Sequence, residues 1–266
     1  MRLPYWLNAG IVGLLIAGCA GMQSGMSTET RAALAPTGKL RVAFLLAPIY
    51  AAKDAATGEP KGVAVDLGKE LAQRVSVPFD PVVYANFPEL MSGAKAGQWD
   101  VALMGVDAQR ATVVDFSAPF MNVEQGYLVR AGVPIAAASD VDAPGVRVGV
   151  LEKSSLDILL SQTLKHPALV RAKTLPDNYA LLDAGKTDVM AATKPALFAG
   201  AEKRPGSRVL DGRFPVDAVG MGVPKGRDTA AAEYVGKFVE EAKAGGLVKS
   251  AIERAGLRGV VVAPPR

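Results

Sequence analysis

Ala96-Gly97-Gln98-Trp99-Asp100-Val101, inside MSGAKAGQWDVALMG, returns as Ala184-Gly185-Lys186-Thr187-Asp188-Val189, inside LLDAGKTDVMAAT. In both copies a helical stretch stops at glycine, two residues turn, and an aspartate leads into a short apolar run of strand length. Such a unit occurs by chance in many α/β proteins, so the repeat gains its weight from what surrounds it. Before the first copy, LRVAFLL (residues 40–46) reads as a buried strand and KDAATGEPKG (53–62) as a turn-rich loop. VAVDLGKELAQRV then places Val65, Leu71 and Ala72 on one helical face, and VPFDPVVYAN reads as a second strand. Pro88 opens a helix that Gly97 closes, and DVALMGV (100–106) is the third strand. The order β-α-β-α-β predicts a central, mainly parallel sheet with crossover helices.

The same order surrounds the second copy. VRVGVL (146–151) repeats the first strand, and SSLDILLSQTLKH is a helix with Ser154 as N-cap and Asp157 completing a variant capping box. Between the copies lies FSAPFMNVEQGYLVRAG, and after the second comes FPVDAVGMGVPKG. Both read as strands crossing between two lobes. The C-terminal part predicts two helices split at Gly245-Gly246 and a short strand or tail, VVVAPPR, returning to the first lobe. The expectation is an α/β protein of two lobes: residues 38–121 plus 218–266 form lobe 1, and 122–217 form lobe 2.

Composition narrows the chemistry. Half of the 266 residues are hydrophobic and the net charge is +4, which excludes a disordered chain. One cysteine cannot form an internal disulfide, and a Cys/His zinc site would lack ligands, so no metal or cofactor is expected. A Ser-His-Asp or Cys-His catalytic group could only use His166, which reads as a surface residue at the end of a lobe 2 helix. Basic residues are mixed with acids along the chain, so no nucleic-acid stripe is present.

The single cysteine, Cys19, follows MRLPYWLNAGIVGLLIAG, a segment with one early cation and an apolar stretch ending in small residues. It reads as a signal peptide (1–18) rather than a membrane span. Leu15-Ile16-Ala17-Gly18-Cys19 resembles a bacterial lipobox, which implies an acylated Cys19 and a membrane anchor; the alternative is ordinary secretory cleavage nearby. Residues 19–37 are small and polar without a sustained period and read as a tether.

In open α/β sheets ligands bind beyond the carboxyl ends of the strands. That rule nominates 47–50, 86–87 and 105–110 from lobe 1, and 152–155 and 193–194 from lobe 2. LRVAF, GVAVDLGKELAQRV, WDVALMGVDAQRATVVDFSAPF, VRVGVLEKSS and GKTDVMAATKPA, in that order, resemble the bacterial extracellular solute-binding proteins of family 3. DFSAPF is the most specific piece. The resemblance implies a type II periplasmic-binding-protein fold, two lobes hinged by two strands, closing on a small polar solute such as an amino acid or related carboxylate. It also implies a periplasmic location, an ABC permease as partner and a monomer.

Residue by residue, the resemblance places Phe87 over the ligand, and a buried ring capping the next helix serves equally well. It gives Arg110 the fork that takes a ligand carboxylate, where the alternative is a salt bridge to Asp107 or Asp115. Gly105 matches a backbone contact, or a plain turn. Ser154 and Ser155 match a helix start that holds the same carboxylate, although simple capping explains Ser154. Lys153 replaces the family's glycine. The departures lie in the ammonium half. Thr193 stands where the family has an aspartate, Lys194 follows it, and Ala64 replaces a second acid. Asp107 or Glu152 could supply the missing charge, Tyr50 is a weaker candidate from the altered stretch LLAPIYAAKD, and an anionic or neutral ligand stays open. The rival classes are a dehydratase-like periplasmic enzyme using Asp107 or Glu152, and an accessory or sensing protein.

Overall fold

The computed structural model describes residues 27–211 and 214–266. The signal-peptide and lipobox expectations, with Cys19, lie outside the described residues. In chain order the elements are α1 (Thr28–Leu34), β1 (Leu40–Leu45), the small hairpin β2 (Ala52–Lys53) and β3 (Pro60–Lys61), α2 (Val63–Arg74), β4 (Phe79–Tyr84), α3 (Phe87–Lys95), β5 (Val101–Gly105), β6 (Val114–Phe116) and β7 (Met121–Val123). Then come β8 (Gln125–Val129), β9 (Arg147–Leu151), α4 (Ser155–Thr163), β10 (Ala168–Ala172), α5 (Leu175–Asp183), β11 (Val189–Thr193), α6 (Lys194–Glu202) and β12 (Arg208–Val209). The chain finishes with β13 (Asp217–Pro224), α7 (Thr229–Ala244), α8 (Leu247–Arg254) and β14 (Val260–Val262).

Two sheets result, with orders β14-β7-β13-β5-β1-β4 (β6 also pairing β13) and β10-β9-β11-β8-β12. Their centres correspond. β4-β1-β5 and β10-β9-β11 are parallel triplets joined by crossover helices, and an antiparallel strand then flanks each: β13 beside β5, and β8 beside β11. β1 is apolar apart from Arg41 because it lies in the centre of its sheet, between β5 and β4, and Leu40, Val42, Ala43, Phe44 and Leu45 are all buried. Val65, Leu71 and Ala72 of α2 are buried as their spacing requires.

The repeat has a structural cause. Gly97 and Gly185 both hold left-handed φ, 64° and 63°, where a side chain would be strained. The following aspartates reach back to the first strand of their own sheet. Asp100 accepts from Arg41 N, Nε and Nη2 at 2.9, 3.0 and 2.7 Å. Asp188 accepts from Arg147 N, Nε and Nη2 at 3.0, 3.0 and 2.6 Å. Each aspartate thus locks the start of a third strand to the start of a first.

Two expectations shift. The tether gives way to structure at α1, capped by Ser27 and packed against α7, with Leu34 fully buried. One buried leucine in a short polar stretch leaves no periodicity to read. The limits drawn at 121/122 and 217/218 fall within β7 and at the first residue of β13; both strands belong to the larger sheet. The sheets therefore part at Glu124 and between β12 and β13. His166 lies past the end of α4, exposed, with its backbone N–H on Asp142.

Candidate functional site

The C-terminal ends of the parallel strands face one cleft between the sheets. A cavity of about 60 Å³ lies there, several times the ~10–15 Å³ that one water needs. Lobe 1 contributes Leu45, Ala47, Ile49, Tyr50 and Phe87; lobe 2 contributes Leu151, Ser154, Ser155, Leu156, Asn178, Ala191, Thr193 and Ala196; Gln125 and Asp217 come from the two crossings. The wall is mostly apolar with a few polar groups, the make-up of a small-molecule site.

Each nominated residue has a definite place. Phe87 begins α3, whose N-cap Asn86 accepts from Glu89 N at 2.9 Å; its ring lines the cavity and carries the Arg110 guanidinium at 4.0 Å from its centroid. Arg110 is buried, but it does not line the cavity. It faces an adjoining, more open depression of about 300 Å³ that also includes Phe87, Asp107 and Lys153. Its Nη1 donates to Gly105 O at 2.8 Å, its Nη2 to Lys153 O at 2.9 Å, and its Nε lies 3.1 Å from Asp107 Oδ2. Of the salt bridges considered for it, Asp107 is the one formed; Asp115 pairs with Lys225 at 3.8 Å. Arg110 therefore spans the cleft, tying the loop after β5 to the start of α4.

Ser154 caps α4, accepting from Asp157 N at 3.0 Å. Lys153 just before it holds φ 57°, a left-handed conformation that glycine adopts freely. Its N–H is held by Asp157 Oδ2 at 3.0 Å. Thr193, the N-cap of α6, makes no side-chain capping bond, and it lines the cavity. Lys194 is engaged elsewhere, 3.3 Å from Glu124 at the crossing. Glu152 is half-buried and is not part of the cavity wall. Tyr50 is buried in the wall; burial and the nearby Asp217 charge push its hydroxyl above the ordinary value, while Arg110 and the Gly105 backbone pull it down.

Sequence reasoning missed Asp217. It opens β13 at the second crossing, opposite Val123 of β7. A Cβ placed on Gly105 would meet Asp217 Oδ1 at 2.7 Å, Ser155 Oγ at 2.7 Å and Arg110 Nη1 at 3.2 Å. The absent side chain of Gly105 is what lets a carboxylate from one lobe meet a hydroxyl from the other. Burial pushes the Asp217 carboxyl above its ordinary value, against the pull of the Ser155 hydroxyl and the Arg110 charge, and Asp107 adds to the rise. The available signal was a lone acid leading the Val/Gly-rich crossing strand PVDAVGMGV. Asn178 was also missed: fully buried, it lines the cavity with an amide that has no partner among the described residues.

Two similarly built lobes, a wall of strand ends and a cavity between them define a two-lobe solute-binding protein. The model of the bacterial extracellular solute-binding proteins, family 3, matches residues 40–255, and the chain belongs to that family. It is 23% identical over 245 residues to a glutamine-binding protein of Geobacillus stearothermophilus, covering 83% of this chain and 92% of that one. Among solved structures it resembles a mutant of ArgBP from T. maritima (26% identity, TM-score 0.74, covering 85% of this chain and 99% of that one). It also shares the fold of the ancestral amino-acid-binding protein AncCDT-1, described as a precursor of cyclohexadienyl dehydratase (23% identity, TM-score 0.74, covering 85% and 98%). These relatives are binding proteins, and the last shows that the fold is a starting point for an enzyme. No helix among the described residues is long and apolar enough to cross a membrane.

Proposed function

We propose that the protein is the receptor component of an ABC importer, holding a small polar solute, an amino acid or a relative of one, by closure of its two lobes. The observation that carries this reading is the cavity walled by the strand ends of both lobes, with the Arg110–Lys153 hydrogen bond crossing the cleft beside it. Glutamine and arginine binding among the relatives support an amino-acid-type solute. The crossings at Glu124 and before Asp217 serve as hinges between the lobe built on the larger sheet and the lobe built on the smaller one. The site comprises Phe87, Gly105, Ser154, Ser155, Thr193 and Tyr50 around the solute. Asp107 and Arg110 form the tie beside it, and Glu152 and Lys194 sit at its margin. The protein works as a monomer in the periplasm, anchored through acylated Cys19, and docks its closed form on a permease.

A thermal-shift panel of amino acids, organic acids and polyamines tests the reading. Stabilisation by one class is expected; no shift with any solute overturns it. Arg110→Ala breaks the bond to the Lys153 carbonyl across the cleft and should weaken solute binding, and unchanged affinity removes Arg110 from closure. Cys19→Ala should move the protein from membrane to soluble fractions.

Asp217 favours a second reading, a dehydratase-like enzyme, because a buried carboxyl held above its ordinary value is what proton transfer needs. The acids nominated for that role from sequence serve it less well: Asp107 is bound to Arg110, and Glu152 stands outside the cavity wall. Mass spectrometry of any stabilising solute after long incubation separates the two, since a receptor returns it unchanged.

A further inference from the structure

We infer that Asp217, at the second crossing, receives a positively charged end of the solute. The inference rests on the receptor reading above and specifies the class of solute.

The charges around the cleft carry it. Arg110 is matched by Asp107 at 3.1 Å, and Lys194 by Glu124 at 3.3 Å. Asp217 makes no ion pair among the described residues, yet it lines the cavity. Its nearest companions are the hydroxyls of Ser155 and Tyr50; the Arg110 guanidinium also lies near it, but is paired with Asp107, and beyond them the wall is largely leucine, isoleucine and alanine. An unmatched carboxylate in an apolar wall is unfavourable when alone and is repaid when a cation arrives. The same wall repels a solute whose only charge is a carboxylate. Arg110 offers such a solute little, because its guanidinium already bonds Gly105 O and Lys153 O and stacks on Phe87. An ammonium group against Asp217, with Ser155 and Tyr50 as further partners, satisfies each of these groups at once. The geometry depends on Gly105, since any Cβ there would displace both Asp217 and Ser155.

A cationic end can belong to an amino acid or to a simple amine. The test is therefore a calorimetric and thermal-shift panel in matched trios: each common amino acid, the amine left when its carboxylate is removed, and the hydroxy acid that replaces its ammonium. Binding is expected only for solutes with an ammonium group; whether the amines join the amino acids tells which source is used. Asp217→Asn should weaken that binding on the order of a hundredfold, as losing one partner of a buried charged pair does. Asp217→Glu, which keeps the charge, should retain the requirement for ammonium. Circular dichroism of both variants separates weak binding from misfolding. Hydroxy acids that bind as well as amino acids, or Asp217→Asn with unchanged affinity, overturn the assignment and leave the receptor standing. A bound solute that is chemically altered moves Asp217 to catalysis and overturns both. No binding in any arm overturns the receptor reading and the Asp217 assignment with it.

Discussion

Asp100 in lobe 1 and Asp188 in lobe 2 sit at the same point of the repeated unit and make the same three bonds to an arginine, but their surroundings differ. Asp100 is 0% exposed and also binds Arg227 at 2.8 Å, a residue whose guanidinium further bonds Ala33 O in the last turn of α1 and Trp99 O. Asp188 keeps 15% exposure, its Arg147 is 41% exposed, and its second cation, Arg130, stands off at 3.6 Å. The chain ends make the difference. α1 and α7 cover lobe 1 and bring Arg227, whereas lobe 2 has no such cover. One device drawn twice from the sequence is thus a buried network in one lobe and a water-facing clasp in the other.

The largest test of that contrast is stability. Asp100→Ala leaves Arg41 and Arg227 without their shared partner and should cost about 3–5 kcal/mol, the usual effect of breaking a buried pair. Asp188→Ala should cost distinctly less, because water replaces what is lost. Urea unfolding of the two variants measures both. Equal losses would mean that the cover over lobe 1 contributes nothing to the pair.

The next test is at the ends of the same strands. Five residues after each aspartate stand Gly105, beside Asp217 and Ser155, and Thr193, in the cavity wall. Gly105→Ala should reduce affinity for the true solute more than tenfold, because the new methyl meets Asp217 and Ser155 at 2.7 Å and holds the lobes apart. Thr193→Ala removes only a hydroxyl that caps nothing and should change affinity a few-fold. Isothermal titration reads both, and a larger effect at Thr193 would place the ligand's main contact in lobe 2.

How much of this was legible follows from the same residues. The turn glycines and the helix starts at Pro88 and Ser154 act within local stretches, and the aspartates stand at the same place in both copies of the repeat although their partners lie 59 and 41 residues away, so these residue types announced the sheet centres and the cleft. Arg110 was legible as a site residue but not its engagement with Gly105 O and Lys153 O, because carbonyl partners leave no side-chain signature. Asp217 reaches the site only through a crossing from distant parts of the chain, and no periodicity marks it. Helix α1 is held by Leu34 and by Arg227, a contact across 194 residues that no local pattern shows.

Asp188 and Asp217 also make the comparison in pH. Hydrogen bonding and charge from Arg147 hold Asp188 below its ordinary value of 3.8, so its stabilisation is complete above that pH and is lost as pH falls through its folded value. Burial raises Asp217, so its ionised form destabilises the empty protein increasingly as pH rises above 3.8 toward its folded value. Asp188→Asn should therefore be less stable than the parent at neutral pH, and Asp217→Asn more stable without ligand, with both differences closing toward acid. A chemical-unfolding series from neutral pH to below pH 3.8 tests the signs. An Asp217→Asn variant that is weaker at neutral pH would mean that Ser155 and Arg110 outweigh burial.

The smallest expected effect separates strain that works from strain that does not. Among the described residues two non-glycine positions hold left-handed φ: Ser76 at 56°, exposed after α2, and Lys153 at 57°, in the cleft. The conformation costs an L-residue about 1–2 kcal/mol, and glycine's extra freedom when unfolded returns about 0.5–1 of that. Ser76→Gly and Lys153→Gly should thus each stabilise by roughly 0.5–1 kcal/mol, or a few degrees in Tm. Their effects on binding should part. Ser76 touches nothing in the cleft, so its affinity stays put. The Lys153 carbonyl receives Arg110 across the lobes, and the same residue's N–H is pinned by Asp157. A freer backbone there lets the Arg110 tie wander, and affinity should fall two- to five-fold while stability rises. If Lys153→Gly binds as tightly as the parent, the Asp157 bond to the residue's N–H is enough to hold the carbonyl in place, and the strained conformation is incidental to closure.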